Sequence, residues 1–77
     1  MAVIEGYLID AQTGSPVAWT AVWIDGVVAT SDVNGYWRLD VPPGTYTLRV
    51  RSPVYAPVTM TVSAPGSYTI RMTRITL

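Results

Sequence analysis

The sequence predicts an all-β fold, a seven-stranded antiparallel β-sandwich, in a single domain that spans residues 1–77. Three observations support this fold class. Apolar and polar residues alternate along short runs, which is the period of a strand with one buried face. Clusters of turn-forming residues separate these runs at short intervals. No stretch of the chain has the period of an amphipathic helix.

The first predicted strand covers residues 3–9 and carries apolar side chains on both faces. Side chains alternate between the two faces of a strand. One face therefore holds Ile4, Gly6 and Leu8, and the other holds Val3, Glu5, Tyr7 and Ile9. The composition of residues 10–16, DAQTGSP, predicts a turn after this strand.

The second predicted strand, residues 17–24, is unusual because one of its faces carries two tryptophans. Side chains two positions apart share a strand face, so Trp19, Ala21 and Trp23 are expected to lie side by side. The opposite face holds Ala18, Thr20, Val22 and Ile24. Periodicity does not set the phase of so short an apolar run, and a shift of one residue would instead bury both indoles.

Turn-forming residues divide the middle of the chain into two further strands. The Asp-Gly dipeptide at 25–26 predicts a hairpin that leads into a short third strand, residues 27–31. The sequence Asp-Val-Asn-Gly at 32–35 predicts a second reversal, because its polar side chains bond their own backbone and its glycine accepts positive φ. The fourth strand covers residues 36–41, and Pro-Pro-Gly at 42–44 ends it.

The same alternation predicts the last three strands. The fifth covers residues 45–51, the sixth residues 58–62 and the seventh residues 67–77. A loop is expected at 52–57, because each of its two prolines biases the preceding residue away from helix. The composition Ser-Ala-Pro-Gly at 63–66 predicts the final turn.

The end of the seventh predicted strand changes face. The apolar residues alternate regularly up to Met72, but Ile75 and Leu77 fall on the opposite side. A bulge near Arg74 would explain this change. The alternative is an extension outside the sandwich, which would allow Ile75 and Leu77 to add to the sheet of a neighbouring molecule as a donated strand.

The run from Ser31 to Val50, S-D-x-N-G-x-W-x-L-x-V-P-x-G-x-Y-x-L-x-V, resembles the carboxypeptidase regulatory-like domain. Segments 6–10, 13–17 and 22–26 fit the same pattern. The resemblance implies a transthyretin-like sandwich of Ig-like topology. In it, strands one, four and seven share one sheet, and strands two, three, five and six share the other. Residues 42–44 would then be a corner between the sheets, whereas a plain hairpin is the competing local interpretation.

The resemblance also implies which side chains face outward. Its register places Gly6 and Val22 inward, together with the residues that share their strand faces. Tyr7 and Ile9 are then outside on one sheet, and both Trp19 and Trp23 are outside on the other. An extracellular or surface-associated location is likewise favoured by the family resemblance.

Composition argues against catalysis and against a bound cofactor. The chain has no cysteine and no histidine, which removes disulfides and the common structural zinc sites. Without histidine, cysteine or lysine, its serines have no partner for nucleophilic catalysis. The turn at 32–35 is not a calcium loop, because Val41 occupies the position of the bidentate ligand. We therefore expect no enzyme activity, no metal and no cofactor.

The charge balance gives no support for binding to nucleic acid or for insertion into a membrane. The formal net charge is zero, and all five basic residues are arginine, so no positive field attracts phosphate groups. No apolar run approaches the ~20 residues of a membrane span. Residues 1–11 lack the basic and apolar regions of a signal peptide.

Apolar residues are more abundant than a core of this size can bury. They make up 49% of the chain, and charged residues make up only 13%. Some must face outward, and tryptophan, tyrosine and arginine are favoured at interface centres. The candidate interface or ligand residues are Trp19 and Trp23 with Arg49 and Arg51 on one sheet, Tyr7 and Ile9 on the other sheet, and Ile75 and Leu77 in the C-terminal segment.

These features predict a non-catalytic structural or interaction module that self-associates or docks into a larger assembly. One alternative is a carbohydrate-binding module that uses Trp19 and Trp23 as a stacking platform. Another is an accessory domain of a longer surface protein. The expected partner is a copy of the chain or another protein, with carbohydrate as the alternative.

Overall fold

The computed structural model describes residues 1–75, which form two β-sheets packed face to face. The first sheet has the strand order β4-β1-β7, and the second has the order β3-β2-β5-β6. The all-β class and the expected division of strands between two sheets are confirmed. The strands are β1 (Ala2–Asp10), β2 (Ala21–Ile24), β3 (Val27–Thr30), β4 (Tyr36–Val41), β5 (Gly44–Arg51), β6 (Val58–Ala64) and β7 (Gly66–Met72).

The prolines at 42 and 43 form a corner between the sheets. They carry the chain from β4 in the first sheet to β5 in the second. Proline suits this position because its ring fixes φ and removes an N–H donor from the strand ladder. The corner is confirmed, and the alternative of a plain hairpin at this point is wrong.

One strand pair departs from the expected antiparallel arrangement. β1 runs antiparallel to β4 but parallel to β7, with Leu8 opposite Ile70. β7 follows β6 of the second sheet across Pro65, and it does not reach β1 through a hairpin. β7 is therefore free to run parallel to β1, because only strands joined by a short hairpin must be antiparallel.

The core lies between the sheets and contains the inward residues expected for β1. Ile4 and Leu8 are fully buried, and Trp37 on β4 is the largest core side chain, at 1% exposure. Gly6 occupies the buried position between Ile4 and Leu8 on β1. A Cβ added to Gly6 would overlap the backbone carbonyl of Tyr68 on β7. Further fully buried apolar side chains are Val22, Ile24, Leu48, Val50, Val62 and Met72.

The phase of β2 places Trp23 outside the sandwich. Val22 and Ile24 are fully buried, whereas Trp23 is 49% exposed, so the shifted register that would bury both indoles is wrong. The strand is shorter than predicted, however, and begins at Ala21. Trp19 has a φ of +57°, which lies outside the β region and prevents the strand from continuing back to residue 17.

Both predicted turns of the middle segment are confirmed. Asp25 and Gly26 have φ values of +44° and +82°, the signs that a two-residue hairpin between twisted strands requires. In the next turn, Oδ1 of Asp32 accepts hydrogen bonds from the backbone N–H of Asn34 at 2.8 Å and of Tyr36 at 3.0 Å. This aspartate is therefore used for backbone hydrogen bonding.

Residues 73–75 neither form a bulge in β7 nor extend away from the sandwich, which corrects the expectations of a bulge near Arg74 and of a free extension at Ile75. β7 ends at Met72, and Arg74 then pairs in antiparallel fashion with Tyr55 in the loop before β6. The N–H of Ala56 donates to the carbonyl of Thr73 at 2.8 Å, and the N–H of Ile75 donates to the carbonyl of Val54 at 2.9 Å. We call residues 73–75 the C-terminal strap; Leu77 lies outside the described residues.

Candidate functional site

Two exposed tryptophans define two separate surfaces. The Trp23 face is the outer surface of the second sheet around Trp23, Arg49 and Arg51. The Trp19 end is the tip of the sandwich formed by Trp19, Pro16, Pro53 and Val54. The two indoles line different cavities and do not share a strand face, so the expectation of a side-by-side pair is wrong. The positive φ of Trp19 is the physical cause, because it breaks the strand alternation between the two residues.

The Trp23 face follows from the register of three strands. Trp23 on β2 lies opposite Val28 on β3 and opposite Arg49 on β5, while Ala21 lies opposite Arg51. The structure therefore places Trp23 beside both arginines on the second sheet. Val28 is 57% exposed, which extends the apolar surface of the indole toward the edge of the sheet.

Open grooves flank the Trp23 and Arg49 side chains. One groove is lined by both of them together with Arg51, Pro57, Val58 and Thr59. The other is lined by both of them together with Asp25, Gly26 and Thr47. Within residues 1–75 the one ion pair joins Arg38 to Asp40 on the first sheet at 3.4 Å. The guanidinium groups of the Trp23 face are thus available to a ligand.

The Trp19 end is fixed by a buried serine. Oγ of Ser31 donates a 2.8 Å hydrogen bond to the carbonyl of Val17 and accepts a 3.0 Å bond from the N–H of Thr20. The N–H of Trp19 donates to the carbonyl of Ser31 at 2.9 Å. The backbone on both sides of Trp19 is therefore anchored, while its side chain is 71% exposed.

Tyr7 and Ile9, the predicted apolar patch of the first sheet, differ in exposure. Tyr7 is 47% exposed and meets Tyr36 edge-on with ring centroids 5.5 Å apart, while Ile9 is half-buried. The hydroxyl of Tyr36 donates a 2.7 Å hydrogen bond to Oε1 of Glu5. This bond to a carboxylate raises the pKa of Tyr36. The two tyrosines thus largely bond and pack against their own sheet.

Asp10 joins the turn after β1 to the distant loop that holds Tyr55, a relationship that the sequence did not predict. Its Oδ1 accepts the N–H groups of Gln12 at 2.8 Å and Thr13 at 3.1 Å, and its Oδ2 accepts the Tyr55 hydroxyl at 2.9 Å. These bonds lower the pKa of Asp10. Burial and the bond to Asp10 raise the pKa of Tyr55. The guanidinium carbon of Arg74 lies 5.9 Å from the Tyr55 ring centroid.

This arrangement uses its carboxylates for structure. Asp10 and Asp32 both accept backbone N–H groups, and Glu5 accepts a tyrosine hydroxyl. No group of three or more potential metal-binding side chains occurs in the part of the chain that the structure describes. Between residues 1 and 75 there is also no helix long and apolar enough to span a membrane.

The structure places the predicted site residues that it describes in four regions. Trp23, Arg49 and Arg51 come together on the second sheet, and Tyr7 and Ile9 lie on the first. Trp19 stands apart at the tip. Ile75 is 44% exposed in the C-terminal strap, where its N–H is already bonded within the chain. A donated strand would first have to break that bond.

Comparison of sequences connects the fold with a family and a surface protein. The family profile for the carboxypeptidase regulatory-like domain matches residues 3–77. The chain is 40% identical over 75 residues to S-layer protein B of Metallosphaera sedula. That match covers 94% of this chain but 18% of the relative, so the chain spans less than a fifth of that protein.

Comparison of structures confirms the sandwich fold. A chain of a type II cohesin–X–dockerin complex from Acetivibrio cellulolyticus superimposes with a TM-score of 0.69 at 28% identity, over 95% of this chain and 53% of that chain. A protein from Bacteroides uniformis named for a suspected carbohydrate-binding role also gives a TM-score of 0.69, at 24% identity over 92% of this chain and 40% of its own. The chain belongs to the carboxypeptidase regulatory-like domain family.

Proposed function

We propose that the chain is a non-catalytic interaction module of a longer, surface-associated protein, and that it self-associates by burying the Trp19 end against another copy. Membership of the family and the match to part of an S-layer protein support a module of this kind. The structure adds a surface suited to the task. Its aromatic tip is apolar, exposed and rigidly supported.

The observation that carries this proposal is the conformation of Trp19. A bulky residue in the left-handed region costs roughly 1–2 kcal/mol, yet the chain keeps an indole there with 71% of its surface in solvent. An exposed indole contributes no burial energy to the folded monomer, so the monomer gains nothing that offsets the cost of this conformation. Backbone strain that fixes an exposed side chain is typical of binding surfaces, and tryptophan is enriched among the residues that dominate binding energy.

The surroundings of Trp19 fit contact with protein. Pro16, Pro53 and the 49% exposed Val54 lie about the same concavity and form an apolar rim. No charged side chain lines this concavity, and the hydroxyl groups that also line it, those of Thr20, Ser52 and Tyr55, are each hydrogen-bonded within the chain. An apolar surface with few polar groups is suited to the dry centre of an interface between proteins.

Sedimentation velocity at increasing protein concentration tests the proposal. We expect the wild type to associate at tens of micromolar and Trp19→Ser to associate more weakly. Val33→Ser is the matched control, since Val33 is 64% exposed in the turn before β4. Its association should equal that of the wild type. A wild type that stays monomeric over the whole range, or equal association of all three proteins, would refute the proposal.

Carbohydrate binding on the Trp23 face is a second candidate function. The observation that favours it is the pair of grooves beside a half-exposed indole. Ligand sites combine an aromatic surface with a few polar groups, and here the polar groups are arginine and threonine side chains. Isothermal titration calorimetry of the wild type and of Trp23→Ala with a panel of oligosaccharides tests this candidate. A binding heat that is present in the wild type and lost in Trp23→Ala supports carbohydrate binding. The absence of a binding heat for the wild type with every sugar contradicts it.

A further inference from the structure

The Trp23 face concentrates positive charge beside an aromatic ring. Arg49 and Arg51 project from the same face of β5, about 7 Å apart along the strand. Both are exposed and neither has a carboxylate partner within the described chain. The neighbouring outward residues of the second sheet are neutral, and the nearest acidic side chain that lines a groove is Asp25, at the hairpin end.

Neutral side chains beside these arginines offer hydroxyl groups. Thr59 lies opposite Arg49 on β6, and Thr47 lies opposite Thr61. Thr59 lines the groove with Arg51, and Thr47 lines the groove with Asp25. Each groove therefore combines the indole of Trp23, a guanidinium group and a hydroxyl that can donate or accept a hydrogen bond.

The position of this face within the sheet distinguishes between ligand classes. β2 and β5 are inner strands, so their backbone N–H and C=O groups are engaged with neighbouring strands. An extended peptide gains affinity chiefly by pairing its main chain with a free strand edge, and no such edge lies at Trp23. A sugar needs only side-chain partners and an aromatic surface.

We propose that the Trp23 face binds an acidic oligosaccharide. A uronic acid residue stacks on the indole of Trp23, and its carboxylate receives N–H bonds from the guanidinium groups of Arg49 and Arg51. Guanidinium and carboxylate form charge-assisted, often bidentate, hydrogen bonds, which are stronger than bonds between neutral groups. This inference rests on the second candidate function, because it specifies the class of sugar.

Calorimetric titration with an oligogalacturonate and with its fully methyl-esterified form tests the charge requirement. The two probes have the same rings and differ in the carboxylate. We expect the ester to bind at least about tenfold more weakly. Arg49→Gln and Arg51→Gln should each weaken binding of the acid by about tenfold and leave binding of the ester unchanged. Trp23→Ala should weaken binding of both probes.

Arg71→Gln is the control variant, since Arg71 is also exposed but lies on β7 of the opposite sheet. It should bind the acid like the wild type. Equal binding of acid and ester would overturn the acidic specificity while leaving carbohydrate binding intact. Equal binding of oligogalacturonate and a polyglutamate peptide would show attraction of any polyanion and overturn the sugar assignment. Absence of binding to every glycan would remove the second candidate function as well.

Discussion

The hydroxyl of Tyr55 donates a 2.9 Å hydrogen bond to Oδ2 of Asp10, a residue 45 positions earlier in the chain. The bond joins the turn after β1 to the loop before β6. Tyr55 also lines the concavity of the Trp19 end and pairs with Arg74 of the C-terminal strap. The buried Tyr55 side chain thus connects the concavity of the Trp19 end to the turn after β1, and its backbone pairs with the C-terminal strap.

Replacement of Tyr55 by phenylalanine should destabilise the fold by about 1–2 kcal/mol, because Asp10 loses a hydrogen-bond donor while the ring remains. Urea unfolding measures the change in the free energy of unfolding. Tyr7→Phe serves as the control, since the Tyr7 ring is exposed and its hydroxyl has no partner among the described residues. An equal effect of both variants would contradict the role assigned to the Tyr55 hydroxyl.

Stability should fall in acid because of Asp10. Hydrogen bonds from Gln12, Thr13 and Tyr55 lower its pKa in the folded state, so the unfolded chain binds a proton more readily. This stabilisation is complete above the unfolded pKa of about 3.9 and is lost as pH falls through the lower folded value. The stability difference between wild type and Asp10→Asn, followed by urea unfolding from neutral to strongly acidic pH, should therefore narrow in acid. A stability difference that does not change with pH would contradict the assignment of the acid sensitivity to Asp10.

Ser31→Ala should be among the most damaging single-atom deletions in the chain. It leaves the carbonyl of Val17 and the N–H of Thr20 without their buried hydroxyl partner. We expect a loss of about 2–3 kcal/mol. Ser67→Ala, at an exposed position of β7, should change stability by less than about 0.5 kcal/mol. Chemical denaturation of both variants provides the comparison, and similar small losses would show that water replaces the Ser31 hydroxyl.

Two substitutions of Trp19 separate its backbone from its side chain. Both Trp19→Gly and Trp19→Ala remove the indole, but only glycine tolerates a φ of +57° without steric cost. The glycine variant should be more stable than the alanine variant by about 1 kcal/mol. Elsewhere in a strand or loop the order is normally reversed, so a more stable alanine variant in thermal and urea unfolding would contradict the left-handed conformation.

Gly6→Ala should prevent normal folding. A methyl group at this position overlaps the carbonyl of Tyr68, which belongs to the backbone of the parallel neighbour β7 and has no alternative rotamer to adopt. We expect a loss of at least ~3 kcal/mol, at the upper end for overpacking. Circular dichroism and thermal unfolding measure it. A stable, folded variant would contradict the close approach of β1 and β7.

Alternation in the sequence predicted seven strands, but it did not predict where β2 begins or β7 ends, and the phase of β2 came from the family resemblance. Val22 and Ile24 are buried and Trp23 is exposed, as the family register implied. The position of Arg49 on the strand beside Trp23 followed from the strand order that the resemblance implied, and the structure adds the register that places the two residues opposite each other. The local period is present in the residue pattern, whereas the strand order was implied by the family resemblance.

Features that depend on the sign of a backbone φ angle, or on contacts between residues far apart in sequence, could not be predicted in this way. Nothing in the sequence around Trp19 indicates a positive φ, because tryptophan disfavours it, and the Ser31 hydrogen bonds that hold the flanking backbone come from a residue 12 positions later. The bond from Tyr55 to Asp10 and the pairing of the C-terminal strap join residues far apart in sequence. The direction of β7 beside β1 likewise has no local signal.

Acrylamide quenching of tryptophan fluorescence in Trp23→Phe, measured at increasing protein concentration, tests the central claim most directly. In this variant the fluorescence comes from Trp37, which is buried in the core, and from Trp19, which is 71% exposed in the single chain. Burial of the Trp19 end between copies predicts that the quenched fraction falls as concentration rises. A quenched fraction that stays constant across the range would show that Trp19 remains in solvent and would contradict the proposed interface.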